Sequence, residues 1–197
     1  MCFPYMNETQ QAQDVQKWFA MRDLKPRHAK LPAYKMFADL KIRYFTPMEH
    51  RLVIINGKRV AQEVPYMQDL LFVEGTREFL DPIVENTPKL QYRYKLGMQH
   101  TPIIVPNADM ERFIRAVSST ESPRYYRPEE VTPEMLSRHI RIIGGPLDGY
   151  EGTLVTTRGS KVKRLLVELP SLLAAAVEVQ PEYIQLLPAK KAVLREE

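Results

Sequence analysis

Three prolines at five-residue spacing, Pro123, Pro128 and Pro133, punctuate the polar stretch 118–133. Each lacks a backbone donor and fixes φ, so neither a helix nor an interior strand should run through the stretch. The pattern predicts a semi-rigid linker. It divides the chain of 197 residues into a part of about 115 and a part of about 60. With 44% hydrophobic and 26% charged residues, both parts can hold a packed core, which excludes a disordered chain. The single cysteine, Cys2, excludes an intramolecular disulfide and a cysteine zinc cluster, and fits a reducing cytoplasm. No run approaches the roughly 18 apolar residues of a membrane-spanning helix. Residues 1–8 lack the basic flank and apolar stretch of a signal peptide. The expectation is a cytoplasmic protein with no membrane partner.

The net charge of +4 is unevenly placed. Residues 1–117 hold 17 Lys and Arg against 13 Asp and Glu, whereas residues 118–197 hold 11 of each. Attraction to nucleic acid is therefore expected in the first part, although a solvated surface without such a partner fits the charge equally well.

In the first part, Lys17-Trp18-Phe19-Ala20-Met21 reads as a buried strand. Leu31, Tyr34, Phe37, Ala38 and Leu40 recur near helical spacing, and Pro32 dates the start of that helix. A strand follows over 43–47. Asn56-Gly57 between β-prone arms predicts a hairpin over 52–60. Leu70-Leu71-Phe72-Val73 is apolar throughout, so it is expected as a central strand. A short helix over 78–85 is expected to break at Pro82, and 91–94 alternates like a half-buried strand. Residues 106–109 cap an amphipathic helix over 110–117. The interleaving argues an α+β fold. The second part shows four β-prone runs, 140–143, 152–155, 164–169 and 176–179, which suggest a small barrel of about five strands.

Enzymatic constellations are lacking. His28, His50, His100 and His139 are scattered without metal-ligand spacing, and Cys2 has no fixed histidine partner. Gly144-Gly145-Pro146 is not followed by the Lys and Ser or Thr of a phosphate loop. A non-enzyme is expected, with no catalytic residue, no metal and no cofactor.

Several segments carry a resemblance. Lys17-Trp18-Phe19, Val64-Pro65-Tyr66-Met67-Gln68-Asp69-Leu70-Leu71-Phe72-Val73 and Thr101-Pro102-Ile103-Ile104-Val105-Pro106 occur in this order before the linker. After it comes Ile140-Arg141-Ile142-Ile143-Gly144-Gly145-Pro146-Leu147-Asp148-Gly149-Tyr150-Glu151-Gly152. Together they resemble the NusG family of transcription elongation factors, the last segment being similar to a KOW motif with Gly152 at its glycine. The resemblance implies a NusG-type domain over 17–117, an antiparallel sheet flanked by helices. A linker over 118–133 then leads to an SH3-like KOW β-barrel over 134–188. Residues 1–16 are left as a flexible tail and 189–197 as a C-terminal tail. Gln68-Asp69-Leu70 replaces the family's Pro-Gly-Tyr, and Ser171-Leu172-Leu173-Ala174-Ala175-Ala176 replaces its Phe-Gly-Arg loop. Both departures resemble the specialised members, of the RfaH or exopolysaccharide-operon antiterminator type.

By this resemblance the chain is a monomeric antitermination factor that rests an apolar depression on the clamp coiled coil of RNA polymerase and suppresses pausing or termination. Phe19, Tyr66, Met67, Leu70 and Phe72 would line the depression. Arg22, Lys25, Arg27, His28 and Lys30 would approach non-template DNA. Leu169, Leu172 and Leu173 would form an apolar edge of the barrel for a small-subunit ribosomal protein or Rho. The competing reading is a KOW-containing RNA-binding or ribosome-associated protein. It predicts a basic barrel, against which the zero net charge of 118–197 weighs.

Overall fold

The structure, a computed structural model, describes residues 16–25, 31–55, 57–98, 100–156 and 160–187. In chain order the elements are β1 (Lys17–Asp23), α1 (Ala33–Asp39), β2 (Tyr44–Phe45), β3 (Met48–Ile55), β4 (Lys58–Pro65) and β5 (Leu71–Gly75). Then come α2 (Arg77–Asn86), β6 (Leu90–Tyr92), β7 (Ile104–Val105), α3 (Asn107–Ser118) and β8 (Arg124–Tyr126). The chain continues through β9 (Leu136–Ile142), β10 (Glu151–Val155), β11 (Arg164–Leu169), β12 (Leu173–Glu178) and β13 (Ile184–Leu186). Short 3-10 turns start at Pro128, Pro133 and Pro181. The architecture is α+β. Two compact units emerge, one from residues up to Thr46 with Met67–Asn107, the other from Pro47–Tyr66 with residues from Ala108 onward.

The first unit is built on β1. It pairs antiparallel with β5 on one side and with β6 and β7 on the other, while β2 extends the sheet beyond β5. Strand alternation sends Phe19 and Met21 to one face, level with Val73 and Leu71 of β5. There they meet Ala33 and Phe37 of α1, Leu80 of α2, and Leu90 and Tyr92 of β6. The Phe19 and Tyr92 rings meet edge-on at 5.6 Å. Trp18, Ala20 and Phe72 lie on the other face and are buried too, with Arg43 over the Trp18 ring at 5.1 Å. The central place expected for the 70–73 run is the one β5 takes.

Two helix expectations need correction. α1 buries Ala33 and Phe37, one turn apart, and leaves Leu31 and Leu40 exposed. The helix begins only at Ala33, after Pro32, so its inward face is set by residues one turn apart from that start. α2 runs through Pro82 without a break. The carbonyl that loses its partner to Pro82 belongs to Glu78, an exposed residue that water can serve. The Thr76 hydroxyl caps the helix by accepting from the Phe79 amide, and Arg77 bridges to Asp81 at 2.7 Å.

In the second unit, β3 and β4 form a two-stranded hairpin across the expected turn, with Gly57 at φ +75°. A separate sheet has six antiparallel strands in the order β13-β9-β10-β11-β12-β8. It thus has two short edge strands beyond the four runs read from sequence. The edge strand β8 comes from the proline-punctuated stretch itself. Its three residues fit between Pro123 and Pro128, so the prolines bound a strand at the sheet edge, where a missing donor is tolerated. On one face Val155, Leu166, Ala174 and Ala176 cluster beneath Tyr126, Val131 and Met135. The register places Leu165 opposite Val177, Val167 opposite Ala175 and Leu169 opposite Leu173.

Gly152 has no room for a side chain: a Cβ there would lie 2.7 Å from the Leu166 carbonyl oxygen. Gly144 and Gly145 have φ of +100° and +70° and pass under the Tyr183 ring. Replacing Gly152 with Ala should therefore push β10 away from β11 and cost about 1–3 kcal/mol, read as a lower denaturant midpoint with unchanged slope.

Candidate functional site

The five side chains expected to line an apolar depression are mostly interior. Phe19, Leu70 and Phe72 are at most 1% accessible, and Met67 is buried at 7%. Phe19 lies on the sheet face that α1 and α2 cover. Phe72 lies buried on the other face of β5. Met67 and Leu70 belong to the turn before β5, where the Leu70 amide donates to the Met67 carbonyl. Tyr66 alone reaches solvent, as a half-buried residue. The first unit exposes other apolar groups, which the sequence reading did not single out. Tyr94, Leu96 and Met98 project from the connection between β6 and β7, Leu96 being fully exposed. That connection is closed by Lys95 N–H donating to the Thr101 carbonyl and Ile103 N–H donating to the Arg93 carbonyl. Gly97, between two large apolar residues and at φ +75°, was the signal for an exposed turn.

Among the basic residues, Arg27, His28 and Lys30 lie outside the described residues. Arg22 faces Asp69 at 3.9 Å, a carboxylate also held by Arg93 at 2.8 Å. The Lys25 ammonium donates to the Leu31 carbonyl at 3.1 Å. Both cations are thus partly engaged within the protein. The buried carboxylate of Asp23 organises this neighbourhood. One of its oxygens accepts from the Lys25 amide at 3.0 Å and the other from the Ala33 amide at 2.6 Å. Asp23 thereby ties the end of β1 to the start of α1 and supplies the cap that Pro32 cannot. Gln68 adds a bond from its side-chain amide to the Lys25 carbonyl.

Leu169, Leu172 and Leu173 are buried rather than forming an exposed edge. The run after Ser171 is a strand, β12, which pairs along its whole length with β11. Only residues 170–172 turn, with Ser171 at φ +61° and the Leu172 amide donating to the Leu169 carbonyl.

Tyr66 is the focus of a polar knot in the second unit. Its hydroxyl donates to Glu130 at 2.6 Å, and its ring lies 5.7 Å from that of Tyr125 on β8. The same Glu130 oxygen accepts from the Arg127 amide at 2.8 Å. Partial burial and then the Glu130 carboxylate push the Tyr66 phenol up to about 12. The Tyr66 hydroxyl, followed by the Arg127 amide, holds Glu130 below the usual carboxylate range. Burial, reinforced by Glu63, pushes Tyr125 up to about 12. Such groups bind and position; none pairs a nucleophile with a base. Among the described residues no group of three or more His, Cys, Asp or Glu side chains could hold a metal ion, and no helix is long and apolar enough to cross a membrane.

No protein-family model matches the chain, and no curated protein matches it. Among solved structures it is similar to one concerning domain interaction in Thermotoga maritima NusG, at 14% identity and a TM-score of 0.43. The likeness covers 86% of this chain and 96% of that one.

Replacing Asp23 with Ala should cost about 2–3 kcal/mol by orphaning the buried Ala33 amide, whereas Asp23→Asn should cost less; chemical denaturation measures both. The Tyr66–Glu130 bond should make stability depend on pH at both ends. Because Tyr66 is raised, its contribution is full below the ordinary phenol value of 10.0 and is lost as pH rises through about 12. Because Glu130 is lowered, its contribution is full above the ordinary 4.5 and fades as pH falls through its depressed value. Melting temperatures of Tyr66→Phe across pH should show a flatter acid limb than the parent, and an alkaline limb reduced by the share that Tyr66 supplies.

Proposed function

We propose that this chain is a NusG-type transcription elongation and antitermination factor of the specialised kind, working by binding alone. Gly152 is the observation that supports this reading most. It stands at the glycine position of the KOW-like segment, and the 2.7 Å approach of the Leu166 carbonyl gives a steric reason for that glycine. The placement of Trp18-Phe19 within the strand that centres the first sheet fits the same reading. So does the six-stranded antiparallel sheet formed by the chain from β8 onward.

The N-terminal part holds the clamp coiled coil of RNA polymerase, and closing the clamp on nucleic acid suppresses pausing or termination. Of the expected patch, Phe19, Met67, Leu70 and Phe72 are buried within the first unit, and Tyr66, in the second, is the member that makes contact. Tyrosine suits this role, since it offers a large apolar face at little entropic cost. Arg22, Lys25, Arg27, His28 and Lys30 lie towards the exposed non-template strand and meet its phosphates. The KOW barrel recruits a ribosomal protein or Rho.

The test uses the full chain. Immobilised protein should retain the clamp coiled coil, with Tyr66→Ala weakening retention about tenfold or more while its melting transition persists. Read-through past a terminator should rise when the protein is added to a transcribing polymerase. If the chain neither retains the coiled coil nor changes read-through, the proposal fails.

A further inference from the structure

Within the second unit a groove of about 620 Å3 opens between the end of α3 and the rim of the six-stranded sheet. Residues 119–122, 161–163 and 178–181 line it. Its size is that of a small-molecule site. Both walls are held by hydrogen bonds. At one, the Ser119 amide and hydroxyl donate to the Ala116 carbonyl at 3.2 and 2.7 Å, where α3 ends. At the other, the Val179 amide donates to the Lys163 carbonyl at 3.0 Å and fixes 161–163 against 178–181. A groove with held walls costs little ordering when it is filled.

The two sides differ in charge. Lys161, Lys163 and Glu121 are exposed and form no ion pair among the described residues. Glu178 is different, because its Oε1 accepts from Nη2 of the buried Arg164 at 2.6 Å. Its negative charge is therefore already answered within the protein. What remains is two ammonium groups on the 161–163 side, against one carboxylate and the Thr120 and Ser122 hydroxyls on the 119–122 side. The end of α3 brings the negative pole of its helix dipole to that second side. The groove thus suits a ligand that is anionic at one end and donates hydrogen bonds at the other.

The lining contains no aromatic residue, so a base has nothing to stack on, which disfavours single-stranded nucleic acid. Val162 and Val179 offer small apolar surfaces instead, which match the C–H face of a sugar ring. We propose that the groove binds a phosphorylated sugar. Lys161 and Lys163 meet the phosphate as charge-assisted donors, and the Glu121 carboxylate accepts from the sugar hydroxyls. No residue of the groove belongs to the polymerase, DNA or ribosomal-protein surfaces proposed above, so the inference is independent of that reading.

The test titrates the full chain calorimetrically with ribose 5-phosphate and glucose 1-phosphate. Inorganic phosphate, ribose, glucose and a short single-stranded RNA are titrated in parallel. At least one sugar phosphate should bind about tenfold or more tighter than inorganic phosphate and than its own free sugar. Lys161→Gln with Lys163→Gln should weaken that binding about tenfold or more. Glu121→Ala should weaken the sugar phosphate but not inorganic phosphate, which touches only the lysines. If the double variant loses its melting transition, Lys161→Gln and Lys163→Gln are measured singly. Failure of both sugar phosphates to bind would overturn the inference, as would binding equalled by inorganic phosphate or unchanged by either substitution. RNA that binds tighter than both sugar phosphates and weakens in the lysine variant would overturn it too, by giving the groove to nucleic acid.

Discussion

The pairing of β1 with neighbours on both sides is the constraint from which the first unit follows. Antiparallel ladders to β5, β6 and β7 leave β1 no free edge, and helices α1 and α2 complete the core over Phe19 and Met21. Burying these aromatic and aliphatic groups supplies the driving force of folding, at about 1.5–3 kcal/mol for each large side chain. The same burial removes them from any partner's reach. A residue such as Phe72 cannot be both fully interior and part of a docking face, so packing and recognition compete for the same apolar side chains. In this unit packing takes the inner strands β1 and β5, while the most exposed apolar side chain is Leu96, in the connection between β6 and β7.

Asp23 links that sheet to its polar surroundings. As a buried carboxylate it would be costly alone, but two backbone amides satisfy it. It fixes where β1 ends and α1 begins, and hence brings the two flanks of the basic segment together. Charge and fold are coupled at this one side chain. The second unit uses tyrosine in a comparable way. Tyr125 and Tyr126 lie on β8 against the small residues Ala174 and Ala175 of β12, where larger side chains would crowd the approach. Tyr66 then joins the hairpin root to the same stretch through Glu130.

Much of the architecture was legible in the chain because its signals are local. The Lys17–Met21 run, the Asn56-Gly57 turn and the amphipathic 110–117 segment each declare their element through alternation, turn chemistry or helical spacing. Pro82 and the 118–133 stretch misled for a shared reason. A proline forbids a hydrogen bond only where one is needed, and neither the exposed carbonyl of Glu78 nor a sheet edge needs it.

By itself the sequence determined the α+β character, the longer strands and helices and the Asn56-Gly57 turn, since period, proline and glycine act over a few residues. Only the tertiary structure decided which apolar side chains are interior. Phe19, Leu70 and Leu172 look no different along the chain from Leu52, Ile54 and Leu96. The former lie on strands flanked by partners or at a turn folded back on them. The latter lie on a hairpin with open edges and in an outward turn. Exposure is a property of what packs on a residue from elsewhere, and no local pattern encodes it.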